Sequence, residues 1–196
     1  GMNIVEIAAV HPTSKAPRNL SIYDDSFIPG LTRLASAIKK AGGRAAIQIW
    51  HAGRQTYSRW TDRPLIAPSP IPCPLCKGLP VEMTKEMIEE IIEAYGDGAL
   101  RAKKAGFEAV EIHGAHGYLI AQFMSAYSNK RADEYGGPLE NRARFALEVI
   151  QNIRRKAGND FPLLYRLSAE EYVPGGLTVE EAKLVAKMVE KAGVDA

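Results

Sequence analysis

The sequence predicts an α/β fold built on a parallel sheet, and three observations carry that prediction. Short runs rich in Ile, Val and Ala alternate with longer segments of helical period, as βα units do. The runs are mostly apolar from end to end, as strands covered on both faces are. The four histidines, His11, His51, His113 and His116, each fall at or just past the end of such a run.

The first strand is read over Asn3–Val10 (NIVEIAAV). Pro29-Gly30 then leads into Leu31, Leu34, Ala35 and Ile38, spaced i, i+3, i+4, i+7, and Gly42-Gly43 stops that helix. Ala45–Trp50 (AAIQIW) is the second strand. Thr84 stands three residues before Met87 as an N-cap, and Met87, Ile88, Ile91, Ile92 and Tyr95 carry a helix to about Ala105, where Gly106 ends it. The third strand is Ala109–His113 (AVEIH), followed by a helix over Asn141–Ala157 through Phe145, Val149 and Ile153. Leu163–Leu167 (LLYRL) is the fourth strand. Thr178 with Glu181 three residues on forms a capping box that opens a helix to Ala192, and Val194 begins a fifth strand. Arg63–Pro80 carries six prolines and is read as a long loop, neither helix nor central strand.

Composition narrows the class of function. The 196 residues are 46% apolar and 24% charged, with a formal net charge of +2, which excludes a disordered chain and lacks the basic excess of a nucleic-acid binder. No run approaches the roughly 20 apolar residues of a membrane span, and the N-terminus lacks signal-peptide order, so the expected location is cytoplasmic. One domain is expected over residues 1–196.

The histidine edge is the first pointer to chemistry, because ligands of parallel α/β folds bind at the C-terminal ends of the strands. Any one of these residues can equally be a core histidine satisfied by backbone. Three strands also carry a polar residue in an apolar run: Gln48, Glu111 and Arg166. Buried, each needs a partner. One reading is a mutual Glu111–Arg166 ion pair; the other aims amide and guanidinium donors at a polar cofactor edge. In His113-Gly-Ala-His116-Gly-Tyr118 two imidazoles and a phenol can polarise a carbonyl oxygen and then protonate the carbon skeleton. Cys73, Cys76, His113 and His116 also make up a Cys₂His₂ zinc inventory, although their spacing and the surrounding prolines argue for an inert loop at the cysteines. The basic and aromatic stretch Arg54–Arg63 can grip an anion, or be a loop with ordinary surface charges.

IQIWHAGRQ (Ile47–Gln55), the run from Phe107 to Ile150 with HGAHGYL, SNKRADEYGG and ENRARF, and LLYRLS (Leu163–Ser168) together resemble the flavin-dependent old yellow enzyme family. The resemblance is nearest to its 2,4-dienoyl-CoA reductase-like and bile-acid-inducible oxidoreductase branch, and covers essentially the whole chain. It implies a (β/α)₈ TIM barrel with FMN at the C-terminal mouth, reduced by NAD(P)H and passing hydride to an activated alkene. Gln48 and Arg166 are then the cofactor-binding residues, at the flavin pyrimidine and near N1 and O2. His113 and His116 hold the carbonyl oxygen of a small-molecule enone or dienoyl thioester, and Tyr118 delivers the proton to the α-carbon.

The length departs from that pattern. Such a barrel takes about 250 residues, and the match places this chain from about the second strand to the fifth. The phosphate site usually built after strands seven and eight therefore has no counterpart here, and an iron–sulfur cluster or FAD is expected only in a longer parent. A half barrel also exposes edge strands, so the alternative is a catalytically inactive, self-associating fragment, a homo-oligomer that binds no flavin.

Overall fold

A computed structural model describes residues 1–61 and 63–196. The first strand, β1 (Met2–Ala9), is followed by the two-residue strand β2 (Leu20–Ser21), helix α1 (Ile28–Lys40) and strand β3 (Arg44–Trp50). Next come the single turn α2 (Ser58–Thr61), the short strands β4 (Ile66–Ala67) and β5 (Val81–Glu82), and α3 (Lys85–Lys104). Strand β6 (Ala109–Gly114), helices α4 (Leu119–Met124) and α5 (Leu139–Ala157), strand β7 (Leu163–Leu167) and helix α6 (Val179–Lys191) complete the order. The main sheet runs β2-β1-β3-β6-β7 and every pairing in it is parallel.

The four expected long strands and four long helices are all present, with no end shifted by more than three residues and Leu163–Leu167 unchanged. Thr84 Oγ1 accepts from Met87 N–H at the start of α3, and Thr178 and Glu181 exchange both capping-box bonds at the start of α6. Val194 does not begin a formed strand, yet Asp195 N–H donates to Leu163 C=O (2.8 Å) and Tyr165 N–H to Ala196 C=O (2.9 Å), which lays the last residues along the edge of β7. The short elements β2, β4, β5, α2 and α4 were not expected.

Strand alternation sorts the side chains into two faces. Ala45, Ile47 and Ile49 of β3, Val110 and Ile112 of β6, and Leu163 of β7 point to the helix side, where Ile88, Ile91 and Tyr95 of α3 and Phe145, Val149 and Ile153 of α5 close the core. The other face carries Gln48 and Trp50, Glu111 and His113, Leu164 and Arg166. Register sets Gln48 beside Glu111, Glu111 beside Leu164, and His113 beside Arg166. Pairing of β1 with β3 slips between Val5 and Ala8, so Glu6 and Ile7 share the place opposite Gln48. Such bulges re-aim side chains beside sites.

The proline-rich loop is an ordered strap. Val81 N–H and Met83 N–H donate to Leu65 and Ala67 carbonyls, pairing β4 with β5 in parallel. Two buried arginines fasten it. Arg54 donates to the Ile71 and Pro72 carbonyls (3.1 and 3.3 Å), and Arg131 to those of Pro68 and Met83 (3.2 and 2.6 Å) while pairing with Asp133. Arg54 is thus no surface charge, contrary to the simpler expectation for Arg54–Arg63; Asp62 of that stretch lies outside the described residues. Arg131→Ala would leave two carbonyls and a carboxylate without their donor, and a loss of about 3 kcal/mol is expected in urea unfolding, with the 63–83 strap opening to protease before the rest.

Candidate active site

The C-terminal ends of β1, β3 and β6 carry all four histidines, as expected, but the structure divides them into two pairs. His51 is fully buried with both ring nitrogens used. Gly53 N–H donates to its Nδ1 (3.0 Å), which leaves Nε2–H to donate to Thr13 Oγ1 (2.7 Å). Thr13 in turn meets His11 Nδ1 at 2.7 Å, and His11 Nε2 faces Glu90 at 3.1 Å. Burial pushes the His51 pKa down to about 3, with His11 adding to it. His51 is a core histidine and His11 a half-buried one, and both are satisfied by their surroundings.

His113 and His116 are arranged differently. His113 is 3% exposed, and Ala115 N–H donates to its Nδ1 (3.3 Å), so the neutral ring keeps an Nε2–H without an assigned acceptor. Burial first, then the neighbouring His116 and Arg166, lower its pKa to about 4. His116 is exposed, with its ring centroid 5.0 Å from that of His113. Its backbone is left-handed (φ 57°), as is that of Gly117 (φ 71°), and its N–H donates to Ser168 Oγ (3.1 Å) beyond β7. A non-glycine residue held there stores strain of the kind that marks working sites.

Tyr118 caps α4 and lies edge-on to both Trp50 (4.5 Å, 81°) and His113 (4.9 Å, 78°). Burial raises the pKa of its hydroxyl, opposed by a hydrogen bond from the Gln55 side chain. The group therefore stays protonated at neutral pH. Two imidazoles and a phenol stand together, as the HGAHGY spacing predicts.

What holds them was not foreseen. Gln122, the one polar residue of α4, is buried and donates to the Gly117 and Ala52 carbonyls (2.7 and 3.1 Å) while accepting from Arg54 N–H (3.2 Å). It ties the loop after β3 to the loop after β6. A Cβ on Gly53 would come within 2.2 Å of the Gln122 amide, and Gly53 has φ 59°, so glycine is required there. The SNKRADEYGG and ENRARF segments are likewise internal strutting: Asn129 Nδ2 of the first donates to the Phe123 and Tyr135 carbonyls at 2.7 Å each, and Arg142 of the second reaches Met124 C=O and Glu181.

One sequence expectation needs correction. Gln48 is buried as expected, but Glu111 accepts from its Nε2, and the Glu111–Arg166 pair does not form. Arg166 is exposed rather than buried, standing beside His113 on the inner face. Cys73 and Cys76 are free thiols, and among the described residues no three His, Cys, Asp or Glu side chains gather as a metal site.

The donor set bears on whether a flavin suits this face. An amide at Gln48 and a guanidinium at Arg166 match the alternating carbonyl and N–H edge of a flavin pyrimidine. Trp50 Nε1 is buried there with no acceptor among the described residues, a polar atom awaiting a ligand or partner. The inner face therefore fits the ring system.

A parallel barrel wall with such a group at its C-terminal mouth belongs to a recognisable class of α/β protein, and comparison identifies the family. The family model described as NADH:flavin oxidoreductase / NADH oxidase matches residues 1–196, and the chain belongs to that family. An "NADH oxidase" of Thermoanaerobacter brockii is 49% identical over 177 residues, 89% of this chain and 27% of that protein. The structure of a 2-naphthoyl-CoA reductase with 2-naphthoyl-CoA superposes with TM-score 0.94 at 35% identity, over 99% of this chain and 31% of that one. The old yellow enzyme homologue from Zymomonas mobilis gives TM-score 0.90 at 28% identity, over 97% and 57%. The chain thus spans between about a quarter and a little over half of the proteins it matches. Its fold is part of a TIM barrel. No helix among the described residues is long and apolar enough to cross a membrane.

Proposed function

We propose that these residues form the catalytic wall of an FMN-dependent, NAD(P)H-driven ene-reductase that saturates the C=C bond of an α,β-unsaturated carbonyl compound. The observation that carries the reading is the pairing of a neutral His113 Nε2–H, kept neutral by burial, with His116 and the protonated Tyr118 hydroxyl at one mouth. Gln48 and Arg166 hold the cofactor's pyrimidine edge, and the Arg166 cation favours negative charge there. When bound, FMN supplies the hydride, drawn from NAD(P)H.

The chain's own residues do the rest. His113 and His116 donate to the carbonyl oxygen, and the charge they stabilise there makes the β-carbon electrophilic. The tautomer set by Ala115 N–H is what leaves His113 a donor. Tyr118 gives its proton to the α-carbon, held in place by edge contacts with Trp50 and His113. Likeness to a protein crystallised with 2-naphthoyl-CoA supports an enoyl or dienoyl thioester among the acceptors.

Product analysis in deuterated water tests the reading on the FMN-loaded full polypeptide. Expected is the saturated ketone, with its carbonyl intact and solvent deuterium at the α-carbon. NAD(P)H oxidation that consumes oxygen and leaves the enone unchanged would replace this reading by an oxidase one.

A further inference from the structure

The proposed reaction uses the polar centre of the mouth and leaves its rim unexplained. Four large apolar side chains stand exposed on two loops there. Leu75 (78%) and Leu79 (70%) lie in the proline-rich strap, and Tyr172 (85%) and Val173 (40%) in the loop after β7.

Both loops are built by short hydrogen bonds. Lys77 N–H donates to Cys73 C=O (2.8 Å), closing the turn that carries Leu75. In the other loop Glu171 N–H donates to Leu177 C=O (3.0 Å), Leu177 N–H returns to the Glu171 carboxylate (2.6 Å), and Gly176 N–H donates to Val173 C=O (2.9 Å). Tyr172 is held left-handed (φ 54°), a conformation that bulky residues adopt only under constraint. A strained aromatic residue that buries almost nothing gains no packing in return, which turns attention to what it meets outside the chain.

The loops converge on the site. Arg54 donates through its guanidinium to the Ile71 and Pro72 carbonyls of the strap and through its backbone N–H to Gln122, whose amide donates to the Gly117 carbonyl next to Tyr118. The loop after β7 is bonded to the His116 backbone through Ser168. Exposed apolar residues on fixed turns, continuous with a polar centre, are the makings of a ligand pocket's wall.

We propose that Leu75, Leu79, Tyr172 and Val173 form an apolar collar that grips the hydrophobic body of the substrate, so that enones with an aryl or long alkyl substituent are preferred to small ones. The collar rests on the ene-reductase reading and adds a substrate class to it. A second copy of the chain is the rival occupant, but the continuity with Tyr118 and His116 favours substrate.

Steady-state kinetics on the FMN-loaded full polypeptide, with benzylideneacetone against cyclohexenone, test it. In Tyr172→Gly and in Leu75→Ser the kcat/KM ratio of the aryl to the small enone falls about tenfold, through KM. Tyr172→Phe retains the wild-type ratio, and Tyr172→Gly melts no lower than wild type because glycine relieves the left-handed backbone. An unchanged ratio overturns the collar, as does a monomer–dimer equilibrium in sedimentation that Leu75→Ser abolishes without moving the ratio. If wild type reduces neither enone, the ene-reductase reading fails separately. The collar is then judged by perturbation of the flavin band on adding benzylideneacetone: weakened binding in both variants supports it and undiminished binding overturns it.

Discussion

Tyr118→Phe slows reoxidation of the reduced protein by an enone about 10²–10³-fold, while reduction by NAD(P)H keeps its wild-type rate. The magnitude is that of removing a positioned general acid. In the proposed mechanism Tyr118 acts only in the second half-reaction: phenylalanine keeps the edge contacts with Trp50 and His113, and the two proposed carbonyl donors, His113 and His116, are untouched. The enone KM should therefore change little. Since burial raises the pKa of the hydroxyl, the wild-type rate stays flat with pH through the neutral range. Rapid-mixing measurement of the two half-reactions separates the steps, and equal reoxidation rates in variant and wild type would assign the proton to another donor.

Acid is expected to destabilise the fold well before the carboxylates titrate. His51 and His113 have pKa values of about 3 and about 4, both below the ordinary 6.5. Above pH 6.5 neither group takes up a proton folded or unfolded, and their burial is without pH cost. As pH falls below 6.5 the unfolded chain binds protons that the folded chain refuses, and stability drops by about 1.4 kcal/mol per pH unit per histidine. By pH 4.5 the pair withdraws on the order of 5 kcal/mol, comparable with the whole stability of many domains. Urea midpoints between pH 7 and pH 5 measure this, and His51→Gln, which retains a donor and an acceptor, should remove about half the slope. A slope the variant leaves unchanged would place the proton uptake elsewhere.

The division between what the sequence discloses and what it does not follows physical lines. Long strands and helices are legible because their apolar period repeats; β2, β4 and β5 have two residues each and α4 has six, too few to show one. The histidine edge is legible because strand ends can be read, whereas the split into a structural pair and a site pair depends on Thr13, Gly53 and Ala115, which touch the rings through folding alone. Alternation places Arg166 on the inner face correctly but says nothing of what covers that face, hence the misjudged burial. Gln122 does carry a signal in the sequence: it is the single polar residue in the buried run LIAQFM, and such a residue must be bonded to something. Arg54 and Arg131 gave none, since an arginine that binds distant carbonyls looks in sequence like any surface charge.

The most direct test of the central claim is anaerobic. The FMN-loaded full polypeptide is reduced with one equivalent of NAD(P)H, oxygen is excluded, and benzylideneacetone is added. The oxidised flavin band is expected to return with one equivalent of saturated ketone formed. A flavin that stays reduced until air is admitted would contradict it.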